Sequence, residues 1–373
     1  MSHPQAEAVI DLDAYRANIE AITRHVGDAQ IMTVVKANAY GHGSVPMARA
    51  ARDAGVDWLG VATVDEAIAL RAAGDRGPLL CWLAAPGAQF AAAIESDVEV
   101  TASSADQLDE ILAAAPSRPR VQLKVDTGLS RNGARGEDWS RLVERAAAEQ
   151  AAGRVEVTGV WSHFACADEP EHPTNDQQEM VFAAAIEEMA ATGLETGLRH
   201  LSNSAAALTR PSSRFDLVRL GIATYGINPT PGLEHPVPLR PVMALRGRLA
   251  AVKRVPAGSG VSYGHTFTTD RETTLGLVPL GYGEGVPVRA SNQVGVGFGG
   301  ERLSQVGRVC MDQFMVDLGD RPARRGDVVT LFGPGDDGEP LAEDWAVACG
   351  TIAYEIVTQV GGRVVRTYTG GPA

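Results

Sequence analysis

Gln30-Ile31-Met32-Thr33-Val34-Val35-Lys36-Ala37-Asn38-Ala39-Tyr40-Gly41-His42-Gly43 is the stretch from which the rest of the chain is read. Its first half is apolar and β-branched and predicts a buried strand. That strand, Ile31–Lys36, ends on a lysine, and a Gly-x-Gly turn follows. Holding an ammonium at the end of a buried strand disfavours its charge, so the pKa falls below the free value of about 10.4. A lysine tuned this way is a nucleophile for carbonyl compounds. A strand-end lysine that snorkels to solvent would look the same in isolation, so the neighbours decide.

Outward from Lys36, short apolar strands alternate with alanine-rich helical segments. Strands are predicted at Trp58–Val61, Leu79–Leu83, Val98–Val100, Val121–Val125, Val157–Ser162, Leu198–Ser202 and Leu217–Leu220. Helices are predicted at Val64–Ala73, Ala105–Ala115, Trp139–Ala152 and Gln177–Ala191. Eight strands separated by helices read as an α/β fold of the (β/α)8 TIM-barrel type. A doubly wound sheet is the rival, and no G-x-G-x-x-G follows the first strand to favour it. From Pro236 the texture becomes β-rich and turn-punctuated, with strands at Ala250–Val255, Thr273–Val278, Gln293–Val296, Gln305–Leu318 and Asp327–Leu331 and one helix at Ala342–Cys349. We therefore expect a barrel over 1–235 and a mostly antiparallel β domain over 236–373, with the Pro-rich segment Pro229–Pro241 between them. The short run Ala8–Leu12 is a candidate to pair with the C-terminal domain.

The 373 residues carry a net charge of −13, which leaves no electrostatic footprint for nucleic acid or an anionic membrane. No apolar stretch has spanning length, Met1 to Glu7 is polar rather than signal-like, and a cytoplasmic protein is expected. Cys81, Cys166, Cys310 and Cys349 are scattered without zinc-like spacing, so reduced thiols and no metal site are expected.

In a barrel, chemistry gathers where the strands end. Lys36 ends the first strand, Lys124 the fifth, His163 follows the sixth, Ser202-Asn203-Ser204 the seventh, and Arg219-Leu220-Gly221-Ile222 close the eighth. The coincidence on one rim is the signal. Ser204 and the Gly221 and Ile222 amides can cradle a phosphate, with Tyr40 adding a hydroxyl. A lysine beside a phosphate cradle points to pyridoxal phosphate, with the cofactor supplying the carbanion chemistry.

These residues resemble the alanine racemases. The likeness runs through Val35-Lys36-Ala37-Asn38-Ala39-Tyr40-Gly41-His42-Gly43, Lys124-Val125-Asp126-Thr127-Gly128, His163-Phe164-Ala165 and Asn203-Ser204-Ala205. It continues in Val261-Ser262-Tyr263-Gly264, Gly307-Arg308-Val309-Cys310-Met311-Asp312-Gln313 and Ala353-Tyr354-Glu355. It implies interconversion of L- and D-alanine by two bases, supply of D-alanine to peptidoglycan, and a head-to-tail homodimer whose sites borrow residues from the partner's β domain. Lys36 matches the Schiff-base lysine and the base on the D-alanine face, and Tyr263 of the other subunit matches the base on the L-alanine face. A tyrosine with a free pKa near ~10 needs tuning to act at neutral pH, and Arg131 and His163 are the candidate cations. Arg219 matches the partner of the pyridine nitrogen, and a guanidinium there keeps that nitrogen unprotonated. Tyr40, Asn203, Ser204, Gly221, Ile222 and Tyr354 match cofactor contacts, and Arg131 and the Met311 amide match binders of the substrate carboxylate. Lys124 matches a position carbamylated in the family, Asp312 is a further supporting residue of the catalytic site, and Asp168, Tyr282, Arg289 and Arg308 match the substrate entrance.

Three departures fall near that entrance: Gly283 and Glu284 where the family favours Ala and Asp, Val286 for a larger residue, and no proline before Tyr354. They leave open a broader amino-acid racemase, acting on serine or lysine with the same machinery. A barrel decarboxylase with Cys310 as acid is disfavoured by the Val-Ser-Tyr-Gly motif. A non-catalytic cofactor carrier is disfavoured by the full β domain.

Overall fold

The computed structural model describes residues 4–233 and 237–371. The chain opens with β1 (Ala6–Asp11), which belongs to the second sheet. It then lays down β2 (Gln30–Val34), β3 (Trp58–Val61), β4 (Leu79–Cys81), β5 (Glu99–Ala102), β6 (Arg120–Lys124), β7 (Glu156–Trp161), β8 (Leu198–His200) and β9 (Leu217–Leu220). These eight pair in parallel in the order β8-β7-β6-β5-β4-β3-β2-β9. The last strand lies beside the first, which makes a barrel and not an open doubly wound sheet. β8 is too short for a regular ladder to β9. The seam is closed instead by the Asp216 N–H donating to the Arg199 carbonyl and the Arg219 N–H to the Ser202 carbonyl, both at 3.1 Å.

The strands are nearly continuous apolar runs because helices cover the outer face and side chains fill the inner one. Met32, Trp58, Leu80 and Leu217 form the interior core. Helix starts follow local chemistry. Thr63 and Glu66 close a capping box on Val64–Ala72, Ser104 caps Ala105–Ala114, and Pro173 sits in the first turn of Pro173–Ala191.

The second sheet contains β10 (Met243–Arg248), β11 (Ala251–Val255), β14 (Thr273–Val278), β15 (Gly295–Phe298), β16 (Glu301–Val306), β17 (Phe314–Gly319), β18 (Val328–Phe332) and β19 (Val365–Thr369). The two-residue strands β12 (Gly260–Val261) and β13 (Phe267–Thr268) pair apart from it. Its order is β11-β14-β17-β16-β15-β18-β10-β1-β19, antiparallel except for β1 with β19. The N-terminal strand thus lies inside the C-terminal sheet, between β10 and β19. The β-rich stretch Gln305–Leu318 holds the end of one strand and most of the next, because Gly307, at φ 75°, turns the chain into a loop over residues 308–313. The boundary expected between 235 and 236 lies outside the described residues.

Candidate active site

The segment after β2 is a left-handed turn. Ala37, Asn38, Ala39 and Tyr40 all have φ between 51° and 54°, a conformation that costs an L-residue roughly 1–2 kcal/mol. Hydrogen bonds offset it. The Ala39 N–H donates to the Val35 carbonyl (2.9 Å), the Gly41 N–H to the Ala37 carbonyl (3.1 Å) and the Gly43 N–H to the Asn38 carbonyl (2.8 Å). The Asn38 side chain accepts from the Ser44 N–H at 3.0 Å, and Glu66 accepts the Ala37 N–H at 2.6 Å. Gly41 is required here, since a Cβ would lie 2.3 Å from the Val357 carbonyl oxygen. Arg366 and Tyr368 of β19 donate to the Gly41 and His42 carbonyls, so the second domain clamps the turn.

Lys36 and Tyr40, the two ends of this turn, face one cavity of about 1080 Å³ at the C-terminal mouth of the barrel. Lys124, Arg131 and His163 line it too, as do Asn203, Ser204, Arg219, Gly221, Ile222 and Tyr354. Eleven of the residues singled out in the sequence therefore converge.

Positive charge dominates. Burial, then Arg131, lower the Lys36 pKa, and burial followed by Arg219 and Arg131 brings Lys124 down to about 7. The Lys124 amine rests 4.3 Å from the centre of the Trp161 ring. Burial pulls Arg219 to about 9, still a cation at neutral pH. One expectation is corrected. His163 is no cation: burial first, then Arg219, hold it neutral, and its Nδ1 accepts from Arg219 Nη2 at 3.1 Å.

The residues fit pyridoxal phosphate. Both terminal nitrogens of Arg219 are fully engaged. Nη1 donates to His200 Nδ1 (3.0 Å) and the His200 carbonyl (3.1 Å), and Nη2 to the Ser162 (2.7 Å) and Leu201 (3.0 Å) carbonyls as well as His163. Only Nε–H lacks an acceptor among the described residues, and it is the donor left for a ring nitrogen in the cavity. At the opposite end, a Cβ on Gly221 would lie 2.4 Å from the Tyr40 hydroxyl, so the backbone must be bare for that hydroxyl to reach its place. Here the Gly221 N–H donates to Ser204 Oγ at 2.9 Å. That bond leaves the Ser204 O–H, the Ile222 N–H and the tyrosine hydroxyls of Tyr40 and Tyr354 as phosphate donors. Burial raises both tyrosine pKa values, Tyr354 to about 12, so each remains a protonated donor.

The remaining predicted residues are not brought to this cavity by the same chain. Tyr263 is 70% exposed at the tip of a strained loop, following Ser262 at φ 62°. It lines a separate hollow of about 300 Å³ with Cys310. Met311 is exposed beside it, and its carbonyl accepts the Gly283 N–H at 2.9 Å. Asp312 pairs with Arg363 at 2.6 Å. Tyr282, Arg289 and Arg308 belong to the same β-domain surface, where the Arg308 carbonyl accepts from Ser262 Oγ at 2.7 Å. Asp168 does not line the cavity, but its charge raises the Tyr354 pKa.

Sequence reading missed Glu66, Trp161 and the buried chain of His200, Gln122 and Glu99. The available signal was polar residues inside otherwise apolar barrel strands, as in Val121-Gln122-Leu123.

A half-buried amine just past a strand end, a hydroxyl-lined cradle and a cavity-facing guanidinium on one barrel mouth define a pyridoxal-phosphate barrel protein. Family models for alanine racemase match the chain twice, the N-terminal domain at residues 10–229 and the C-terminal domain at 242–368. An alanine racemase of Frankia casuarinae is 54% identical over 97% of this chain and 95% of its own length. One from Salinispora arenicola is 52% identical over 98% and 99%. The crystal structure of alanine racemase from Streptomyces lavendulae superposes with a TM-score of 0.97 at 51% identity, covering 100% of this chain and 99% of that one. The Bacillus anthracis enzyme, with bound L-Ala-P, superposes at 0.92 and 34% identity, covering 99% and 96%. The chain belongs to the alanine racemase family, isomerases that use pyridoxal phosphate.

Proposed function

We propose that this protein interconverts L-alanine and D-alanine, with Lys36 and a partner subunit's tyrosine as the two bases. The observation that carries the reading is the division of the machinery. Lys36 sits in the cavity with a lowered pKa, while Tyr263 stands exposed on the other domain. Racemisation needs a proton removed from one face of Cα and returned on the other, and a second copy can bring Tyr263 over the open cavity. The homodimer follows from that need.

Pyridoxal phosphate supplies an electrophilic carbonyl and an electron sink for the charge left on Cα. The chain's own groups do the rest. Lys36 Nζ moves the proton on one face and Tyr263 Oη on the other. Arg131 binds the substrate carboxylate with the Met311 amide of the second copy. Arg219 Nε–H would donate to the ring nitrogen while keeping its own proton, which would limit charge delocalisation and side reactions. Neutral His163 holds Arg219 in place. Ser204, Ile222, Tyr40 and Tyr354 anchor the phosphate and fix the reacting atoms. Among the described residues no helix is long and apolar enough to cross a membrane, and we place the reaction in the cytoplasm, where D-alanine would feed peptidoglycan synthesis.

Incubation with L-alanine in D2O tests the reading. Deuterium enters Cα as optical rotation is lost; exchange with full retention of rotation contradicts two-base racemisation. A broader substrate range, including serine or lysine, is separated by profiling substrates of increasing size.

Lys124 is placed to be carbamylated. Reaction with CO2 requires the neutral amine, and a pKa of about 7 supplies it. The anionic product would hold Arg131, which a cationic lysine repels. The modified fraction is expected to rise from about pH 6 to about pH 8 in native intact-mass spectra; an unmodified mass throughout rejects the assignment.

A further inference from the structure

We propose that Glu99 is the remote counter-ion of Arg219, reached through His200 and Gln122, and that this chain fixes which N–H Arg219 turns to the cavity. Arg219 is buried, and among the described residues no carboxylate pairs with it directly. A guanidinium only donates, so His200 Nδ1, 3.0 Å from Nη1, must be the acceptor. The one proton of the neutral ring then sits on Nε2 and donates to Gln122 Oε1 at 2.7 Å. The Gln122 amide nitrogen donates onward to Glu99 Oε2 at 2.9 Å. Thr158 Oγ1 (2.7 Å) and Arg120 Nε (3.2 Å) hold the Glu99 carboxylate from the barrel floor.

Every donor points from the cation toward the anion. Turning Gln122 over would favour a proton on His200 Nδ1 and set two donors against each other at Arg219. His200 and Gln122 are fully buried, and Glu99 is nearly so. The chain therefore crosses barrel layers that apolar side chains ordinarily fill, where a half-satisfied network is costly. Trp161 stacks on His200, with ring centroids 5.7 Å apart and planes 7° from parallel, and so restricts the tilt of the imidazole. With Nη1 and Nη2 committed, Nε–H is the donor left for the ring nitrogen. Glu99, Gln122 and His200 are positioning residues. Their bearing on turnover rests on the role given to Arg219 above.

Two measurements on wild type, Glu99→Gln and Thr158→Val test this. In 15N-histidine NMR of the cofactor-free protein, wild-type His200 is expected as a single neutral tautomer protonated on Nε2. Glu99→Gln should show a second tautomer, and Thr158→Val a smaller population of it. In the loaded enzyme, Glu99→Gln should lower kcat at least fivefold with KM within twofold. An unchanged His200 tautomer overturns the proposal even if the variants melt earlier, and a changed tautomer with unaltered kcat overturns it too. The NMR arm needs neither cofactor nor substrate, so its result stands apart from that of the racemase reading.

Discussion

Lys36→Ala is expected to lower kcat by at least about 10^4-fold, because it removes both the amine that holds the cofactor and one of the two bases. The visible absorbance of lysine-bound cofactor should vanish with it. The fold should persist. Burial, the largest influence on Lys36, works against its charge, so deleting the ammonium removes a desolvation cost and the thermal midpoint should not fall. Absorbance spectra of protein reconstituted with pyridoxal phosphate check the first point and a melting curve the second. A surviving band would mean that another lysine carries the cofactor, and Lys124 in the same cavity is the amine to examine next.

Tyr263→Phe should cut conversion of L-alanine by about 10^3-fold, within the range for removing a general base. Cofactor affinity should stay within about twofold. Tyr263 is 70% exposed and outside the cavity of its own chain, so stability should change by less than about 0.5 kcal/mol. Lys36 remains, and Cα exchange of D-alanine with solvent deuterium should therefore outlast racemisation. Cofactor titration beside single-turnover exchange from each enantiomer resolves these effects. Equal losses of cofactor binding and L-alanine turnover would contradict the role given to Tyr263.

Much of this was legible in the chain because barrel physics leaves a linear trace. Strands covered on both faces must be apolar, so Lys36, Lys124 and Arg219 stood out against Val, Leu and Ile. What was not legible depends on long-range pairing. β1 finds its place between β10 and β19, more than 200 residues away, and no local pattern encodes that register. The left-handed turn was hidden for another reason: of its four residues only Asn38 tolerates positive φ readily, Ala37, Ala39 and Tyr40 do not, and hydrogen bonds impose it. His163 was expected to be a cation because sequence proximity says nothing of burial beside Arg219. The Glu99 chain was overlooked because a lone glutamine or glutamate in a strand reads as noise until Gln122, His200 and Arg219 are seen aligned.

The central claim is that one active site draws Lys36 from one subunit and Tyr263 from another. Mixing the two inactive variants, Lys36→Ala and Tyr263→Phe, after dissociation and reassociation tests it most directly. With shared sites and random pairing, half the dimers are mixed and each regains one intact site of two, so activity should return to about a quarter of wild type. No recovery from a fully exchanged mixture would contradict the claim.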